Sequence, residues 1–129
     1  TDGVLEGTID EETYAKRIKS INITERQLTD NGYLFMKFFF HISKKEQKKR
    51  LDLLLADKNT KWRVDKEDLW ENEHYNECLD VYNKYLEDTN RSNVPWYIID
   101  AKNKKWAELQ VLQFLNLGID TAIKNHSLY

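Results

Sequence analysis

Apolar positions at helical spacing mark the first part of the chain. Tyr14, Ile18 and Ile21 recur at i, i+4 and i+7, which is the period of an amphipathic helix. Asp10 precedes them as a candidate N-cap, and the run Asp30-Asn-Gly32 is a stop signal. The pattern therefore predicts one helix between these two signals.

Two apolar runs have the composition of strands. Residues 33–42 (YLFMKFFFHI) are almost continuously apolar and aromatic, as in a strand that is covered on both faces of a parallel sheet. A shorter run, Trp96-Tyr-Ile-Ile99, follows Pro95 and also predicts a strand. We expect the first run to be the central strand.

A basic helix is predicted directly after the first strand. Ser43 and Glu46 have the spacing of a capping box, in which each side chain bonds the other residue's backbone N–H. The helix should run to about Asp57, with a leucine stripe in its later turns. Its first turns carry five cations, namely Lys44, Lys45, Lys48, Lys49 and Arg50.

The remaining segments are helical or polar. Residues 57–64 form a polar connection around Trp62, and Asp65 is a candidate cap for the next helix. A helical stripe follows from Asp68 to about Asp88, and it fits either two helices or one kinked helix with a break near residues 71–74. The last helix should begin near Lys104, with Gly118 weakening its end. One of its faces is expected to hold Trp106, Leu109, Leu112, Leu115 and Ile119.

The order of elements predicts a parallel α/β sheet. Helix, strand, basic helix, helical excursion, strand and helix follow one another, which is typical of that class. Two parallel strands alone leave apolar faces and strand edges uncovered. We therefore expect the missing strands to lie upstream in a longer chain.

Composition narrows the class of protein. Of the 129 residues, 40% are hydrophobic and 33% charged, with four Trp and seven Tyr, which is too apolar for a disordered chain. Cys78 is the one cysteine, so the chain cannot form an internal disulfide, and a reducing compartment such as the cytoplasm is expected. No apolar run approaches the ~20 residues that span a bilayer, so we expect no membrane insertion.

The basic helix is the main candidate for chemistry. Free N–H groups at a helix start and neighbouring cations attract phosphates. Lys58, Lys61 and Arg63 add charge around Trp62, as in a mobile lid of a phosphoryl-transfer enzyme. Three alternatives stay open: a solvated face balanced by carboxylates, a surface loop anchored by a buried Trp62, and a nucleic-acid-binding patch, which the net charge of -2 disfavours.

The chain lacks the residues for complete catalysis. Its four glycines cannot form the phosphate-binding pattern G-x-x-x-x-G-K-[ST], and no pair of aspartates at a strand end offers a magnesium site. The scattered histidines and Ser43 have no catalytic partner at a recognisable spacing. We therefore predict no catalytic residue and no metal ligand within this sequence.

Four segments resemble one known family. Residues 25–33 (ERQLTDNGY), 37–51 (KFFFHISKKEQKKRL), 60–68 (TKWRVDKED) and 94–99 (VPWYII) are, in this order, similar to type 2 polyphosphate kinases. Within that family the chain looks most like the polyphosphate:AMP phosphotransferases, which often carry two such domains in tandem. One departure is the stretch 101–105 (AKNKK), which is more basic than the turn usual in the family.

The resemblance implies a fold and a function. Residues 1–129 would be the C-terminal portion of an α/β, helix-rich, partial P-loop kinase-like domain, with two short parallel strands and a helical lid at about residues 43–90. The parent would transfer phosphate from inorganic polyphosphate to AMP or ADP with magnesium, which is bound mainly by residues outside this chain. The isolated chain should be inactive. Formation of a homo-oligomer is left as an open possibility. The alternative is a degenerate polyphosphate-binding or scaffolding domain.

The resemblance also implies a set of phosphate-binding residues. They lie in the basic lid helix and in the basic segment that follows it. By position they are Lys44, Lys45, Lys48, Lys49, Arg50, Lys61 and Arg63.

Overall fold

A computed structural model describes residues 9–91 and 94–126. Within these residues it contains two strands, five α-helices and one 3-10 turn. In chain order they are α1 (Glu11–Asp30), β1 (Lys37–His41), α2 (Lys44–Ala56), the 3-10 turn (Lys61–Arg63), α3 (Lys66–Glu73), α4 (Tyr75–Thr89), β2 (Trp96–Asp100) and α5 (Lys104–His126).

The two strands pair in parallel, as the order of elements predicts. The register runs from Lys37 opposite Trp96 to His41 opposite Asp100. On one face of the sheet Tyr97 contacts Phe114 of α5, with ring centroids 4.7 Å apart. Because side chains alternate between faces along a strand, Phe39 points the other way and meets Tyr82 of α4, 5.9 Å away. The sheet thus lies between α5 and the α1–α4 pair.

The first strand is shorter and less covered than the sequence indicates. Only Lys37–His41 is extended, whereas Tyr33 and Leu34 lie outside the strand and are exposed. The expectation that both faces of the strand are covered is wrong for Phe40, which is 57% exposed. The described sheet has two strands, so no third strand covers this side chain.

The caps of α2 and α3 differ from the predicted pattern in one respect. Ser43 accepts a hydrogen bond from the Glu46 N–H at 3.1 Å, so the N-cap is confirmed. The second bond of the predicted capping box, from the Ser43 N–H to the Glu46 carboxylate, is wrong. The Glu46 carboxylate instead accepts a hydrogen bond from Arg50 Nε at 3.3 Å. A complete capping box occurs instead at the start of α3, between Asp65 and Asp68, where a cap was predicted.

The break between α3 and α4 is confirmed. It lies at His74, whose N–H donates to the Trp70 carbonyl at 2.9 Å. The His74 and Trp70 rings stack there with centroids 4.2 Å apart. Tyr75 then begins α4.

The packed face of α5 is not the predicted one. Ala107 is buried and Phe114 contacts the sheet, whereas Leu109, Leu112 and other members of the predicted face are exposed. Gly118 does not end the helix, which continues to His126. A Cβ added there would lie 2.7 Å from Met36 Sδ. A side chain at position 118 would therefore require the flexible Met36 side chain to move.

A buried ion pair joins the elements at the amino end of the sheet. Lys37 Nζ donates to Glu25 Oε2 at 3.0 Å and to the Thr89 carbonyl at 2.5 Å, and it lies 5.0 Å from the centroid of the Trp96 ring. Trp96 Nε1 donates to Thr89 Oγ1 at 2.9 Å. Lys37 and Glu25 are only 7% and 6% exposed. We call Glu25, Lys37, Thr89 and Trp96 the amino-end clamp.

Candidate phosphate-binding surface

The basic helix begins at the opposite end of the sheet. Strand β1 ends at His41, and α2 starts three residues later behind the Ser43 cap. The Ala101 N–H donates to the His41 carbonyl at 2.9 Å, which holds the end of β2 against the end of β1. The start of α2 and the loop that follows β2 therefore share the carboxyl end of the sheet, where α/β proteins bind their ligands.

Two side chains that sequence reasoning missed fix the start of α2. Asn72 of α3 is buried and donates to the Lys44 carbonyl at 3.1 Å and to Gln47 Oε1 at 2.9 Å. The Tyr75 hydroxyl donates to the Ile42 carbonyl at 2.5 Å, and burial raises the pKa of this phenol. Their partners are backbone groups and a neutral amide, so no charge or spacing pattern could have revealed them.

The lysines of α2 lie in two adjacent rows. Lys44 and Lys48 are four residues apart, as are Lys45 and Lys49, and such pairs are neighbours on a helix surface. All four residues are exposed. Within the described part of the chain, Lys45 and Lys49 form no ion pair, whereas Lys48 pairs with Asp52 at 3.4 Å. Lys44 Nζ lies 3.4 Å from the Glu73 carbonyl.

Arg50 is placed differently from the lysines. Its Nη2 donates to the Ala101 carbonyl at 2.6 Å and to the Lys102 carbonyl at 2.9 Å. Its Nε donates to Glu46 at 3.3 Å. These bonds join α2 to the loop after β2. The guanidinium therefore acts as a tether in this conformation.

The turn after α2 is ordered by its own polar side chains. Thr60 Oγ1 donates to the Leu54 carbonyl at 2.8 Å, and the Asn59 N–H donates to Asp57 Oδ1 at 2.9 Å. These bonds fold the turn back onto α2. Lys61 and Arg63 are exposed, and neither forms an ion pair with a carboxylate that the structure describes.

The alternative of a loop anchored by a buried tryptophan is wrong. The Trp62 side chain is 78% exposed. The turn is held by the backbone and side-chain bonds of Thr60 and Asn59 instead. We define the basic surface as the exposed cations of α2 and of this turn, namely Lys44, Lys45, Lys48, Lys49, Lys61 and Arg63.

An open groove lies next to the basic helix. Phe40, Arg50 and the loop residues Ala101 and Lys102 line one part of it, and the first turns of α5 line the rest. The carboxyl end of the sheet is therefore not sealed by the described residues. Residues 9–91 and 94–126 contain no group of three or more His, Cys, Asp or Glu side chains that could hold a metal ion.

Comparison with known proteins identifies the family. The polyphosphate kinase 2 family profile matches residues 3–127. The chain belongs to the polyphosphate kinase 2 family. The resemblance seen in the sequence is therefore confirmed.

Relatives in the polyphosphate kinase 2 family bear the names of phosphotransferases. The chain is 36% identical over 100 residues to an ADP-polyphosphate phosphotransferase of Rhodopseudomonas palustris, covering 78% of this chain and 35% of that protein. It is 32% identical over 119 residues to a polyphosphate:AMP phosphotransferase of Pseudomonas aeruginosa, covering 92% of this chain and 24% of that protein.

A solved structure confirms the fold class. The crystal structure of polyphosphate kinase 2 from Arthrobacter aurescens TC1 superimposes with a TM-score of 0.82 and 32% identity, over 92% of this chain and 42% of that one. The chain thus spans well under half the length of these family members. None of the helices in residues 9–91 and 94–126 has the length and apolarity to cross a membrane.

Proposed function

We propose that this chain supplies the basic lid of a polyphosphate kinase 2 domain. The lid corresponds to about residues 43–90, and residues 1–129 form the C-terminal portion of the domain. The complete protein would transfer a phosphoryl group from inorganic polyphosphate to a nucleoside mono- or diphosphate, with AMP as the favoured acceptor. The observation that carries the proposal is the basic surface, where Lys45, Lys49, Lys61 and Arg63 have no described carboxylate partner.

The geometry of the basic surface suits a polyanion. Two rows of lysines along α2 present repeated charges, and polyphosphate carries a negative charge on each phosphate. The free N–H groups at the start of α2 add partial positive charge at the same end. Cations fixed before the reaction stabilise charge that develops during phosphoryl transfer without further reorganisation. The same residues would also exclude water when the lid closes.

The remaining catalytic parts are assigned to other regions of the protein. The glycines of this sequence form no phosphate-binding loop, and the described residues contain no group of three or more potential metal ligands. We therefore place the magnesium ion, the phosphate-binding loop and most of the acceptor pocket outside this chain. The isolated chain is expected to be inactive.

A charge-removal experiment tests the basic surface. In the complete natural polypeptide, Lys45 and Lys49 are replaced together by Ala, and ADP formation from AMP and polyphosphate is measured. The KM for polyphosphate should rise about tenfold, because each charge contributes roughly 0.7 kcal/mol near a solvated phosphate. The rise should shrink with added salt, and the melting temperature should stay the same.

Lys16 and Lys19 of α1 provide the control. Their replacement by Ala removes the same charge from an exposed surface on another helix. An equal rise in the KM for polyphosphate in both double variants would mean that only the net charge of the protein matters, and it would refute the proposed site. Turnover by the isolated chain would refute the division of labour. A complete protein that binds polyphosphate without turnover would support the degenerate alternative.

A further inference from the structure

The turn after α2 holds a tryptophan that is both exposed and fixed. Trp62 has 78% of its surface exposed, the largest value among the exposed large apolar residues described. Its indole Nε1 donates to the Asn59 carbonyl at 2.8 Å. One edge of the ring is thereby anchored while its faces remain largely in solvent. A large aromatic ring held in this way is pre-ordered for a partner, because little side-chain freedom remains to be lost on binding.

The charges around Trp62 indicate the chemistry of that partner. Lys58, Lys61 and Arg63 are exposed and form no described ion pair. Two carboxylates near them in sequence accept hydrogen bonds from backbone N–H groups. Asp57 accepts from the Asn59 N–H, and Asp65 caps α3. The tip of the turn therefore offers an aromatic face among exposed cations that form no described ion pair, which suits a ligand that carries both a flat ring and a phosphate.

We propose that Trp62 stacks on the base of the acceptor nucleotide, with Lys61 or Arg63 at its phosphate. This inference rests on the proposed function, which names two substrates. Inorganic polyphosphate has no aromatic face, so the nucleotide is the substrate whose ring can cover the indole. Trp62 would then be a nucleotide-binding residue of the lid. Its role would be distinct from that of the α2 lysines, which contact the phosphate chain.

Binding measurements with a base-free ligand isolate the stacking contact. Calorimetry on the complete natural polypeptide compares AMP with ribose 5-phosphate for the wild type and for Trp62→Ala. Removal of the ring should weaken AMP binding about tenfold, as for bases stacked on aromatic side chains. Ribose 5-phosphate binding should change less than about twofold, since that ligand lacks the base.

Two further variants separate stacking from apolar burial. Trp62→Phe keeps an aromatic face and should bind AMP within about threefold of the wild type. Trp62→Leu keeps apolar volume without that face and should behave like Trp62→Ala. Leu53→Ala is the control, because Leu53 is also exposed on the neighbouring helix α2. It should leave the binding of both ligands unchanged.

Several outcomes would overturn the inference. Equal weakening of AMP and ribose 5-phosphate binding would mean that the indole does not act through the base, and full retention of AMP binding by Trp62→Leu would mean that apolar contact suffices without stacking. Unchanged AMP binding by Trp62→Ala, or a wild type that binds neither AMP nor ADP, would also refute stacking. Failure of the proposed function is seen separately, as AMP binding without phosphoryl transfer from polyphosphate.

Discussion

The amino-end clamp and the basic surface use lysine in opposite ways. In the clamp, Lys37 is 7% exposed, and its ammonium group donates hydrogen bonds to the Glu25 carboxylate and to the Thr89 carbonyl. On the basic surface, Lys45 and Lys49 are exposed and meet no carboxylate among the described residues. The first arrangement joins four elements of the fold, whereas the second leaves its charges available to a ligand.

The difference follows from the cost of removing a charge from water. A buried ammonium group is tolerated only when it is paired and hydrogen-bonded. An exposed lysine remains hydrated and needs no partner, so its ion pairs contribute little to stability. Lysine count alone therefore does not distinguish a structural site from a binding site. The burial of each side chain does.

The largest expected effect is the loss of the clamp. Lys37→Met should lower the free energy of unfolding by about 3–5 kcal/mol, because Glu25 is left buried without its partner. Denaturant unfolding of the complete natural polypeptide measures this change. Pairing Lys37→Met with Glu25→Leu should restore much of the stability, since no buried charge then remains. A loss below about 1 kcal/mol for Lys37→Met would break the contrast between the two regions.

Arg50 offers the second test, because it belongs to the basic helix but is bonded like a structural residue. The sequence assigns it to phosphate binding, while its Nη2 donates to two carbonyls in the loop after β2. Arg50→Ala should cost about 1–2 kcal/mol of stability, below the full range for charged hydrogen bonds because the side chain is 42% exposed. Lys48→Ala should cost less than about 0.5 kcal/mol.

Polyphosphate binding by variants of Arg50 sharpens the result. Arg50→Lys keeps the charge but cannot reproduce the fork of donors, so it should lose stability while retaining most of the affinity. If Arg50→Ala instead loses affinity with unchanged stability, Arg50 is a phosphate ligand and leaves its tether when polyphosphate binds.

The last test concerns the seam between α1 and α4 beside the clamp. Tyr14 donates its hydroxyl proton to Asp88 Oδ2 at 2.9 Å, and burial together with this carboxylate raises the pKa of Tyr14 to about 12 from an ordinary value of 10. Its folded pKa is the higher one, so the stabilisation is present below pH 10 and is lost as the pH rises toward 12. Tyr14→Phe should therefore show a shallower loss of stability across that window.

Comparison of the two unfolding profiles checks this prediction. Wild type and Tyr14→Phe are unfolded at a series of pH values from 8 to 12 in the same buffer. The difference between them should be constant below pH 10 and should narrow above it. A difference that does not change with pH would mean that the hydroxyl does not titrate with folding.

Local signals predicted the elements well and their packing poorly. The caps at Asp10, Ser43 and Asp65 set helix starts that the structure confirms, because each depends on a side chain and the nearby backbone. The prediction of the packed face of α5 was wrong, because apolar residues occur around much of the circumference of that helix. Which of them faces the sheet is decided by contacts with distant segments, such as the contact of Phe114 with Tyr97 of β2.

The candidate site also has features that the sequence predicted and features that it did not. The run of cations and its position after a strand are properties of the sequence, and they led to the family. The separation of Arg50 from the free lysines was not predictable, because its partners are carbonyl groups some fifty positions away in the chain. The exposure of Trp62 was also not predictable, because a tryptophan in a polar turn can be either a buried anchor or an exposed side chain.

The sequence by itself determined the order of helices and strands, the parallel pairing, the family and the presence of a basic helix. These features depend on hydrophobic period, caps and short motifs, which act over a few residues. Only the tertiary structure decided that Lys37 is buried with Glu25, that Arg50 holds a loop and that Trp62 stands in solvent. The physical reason is that burial and hydrogen-bond partners are set by segments distant in the chain, and they decide what each charge or ring can do.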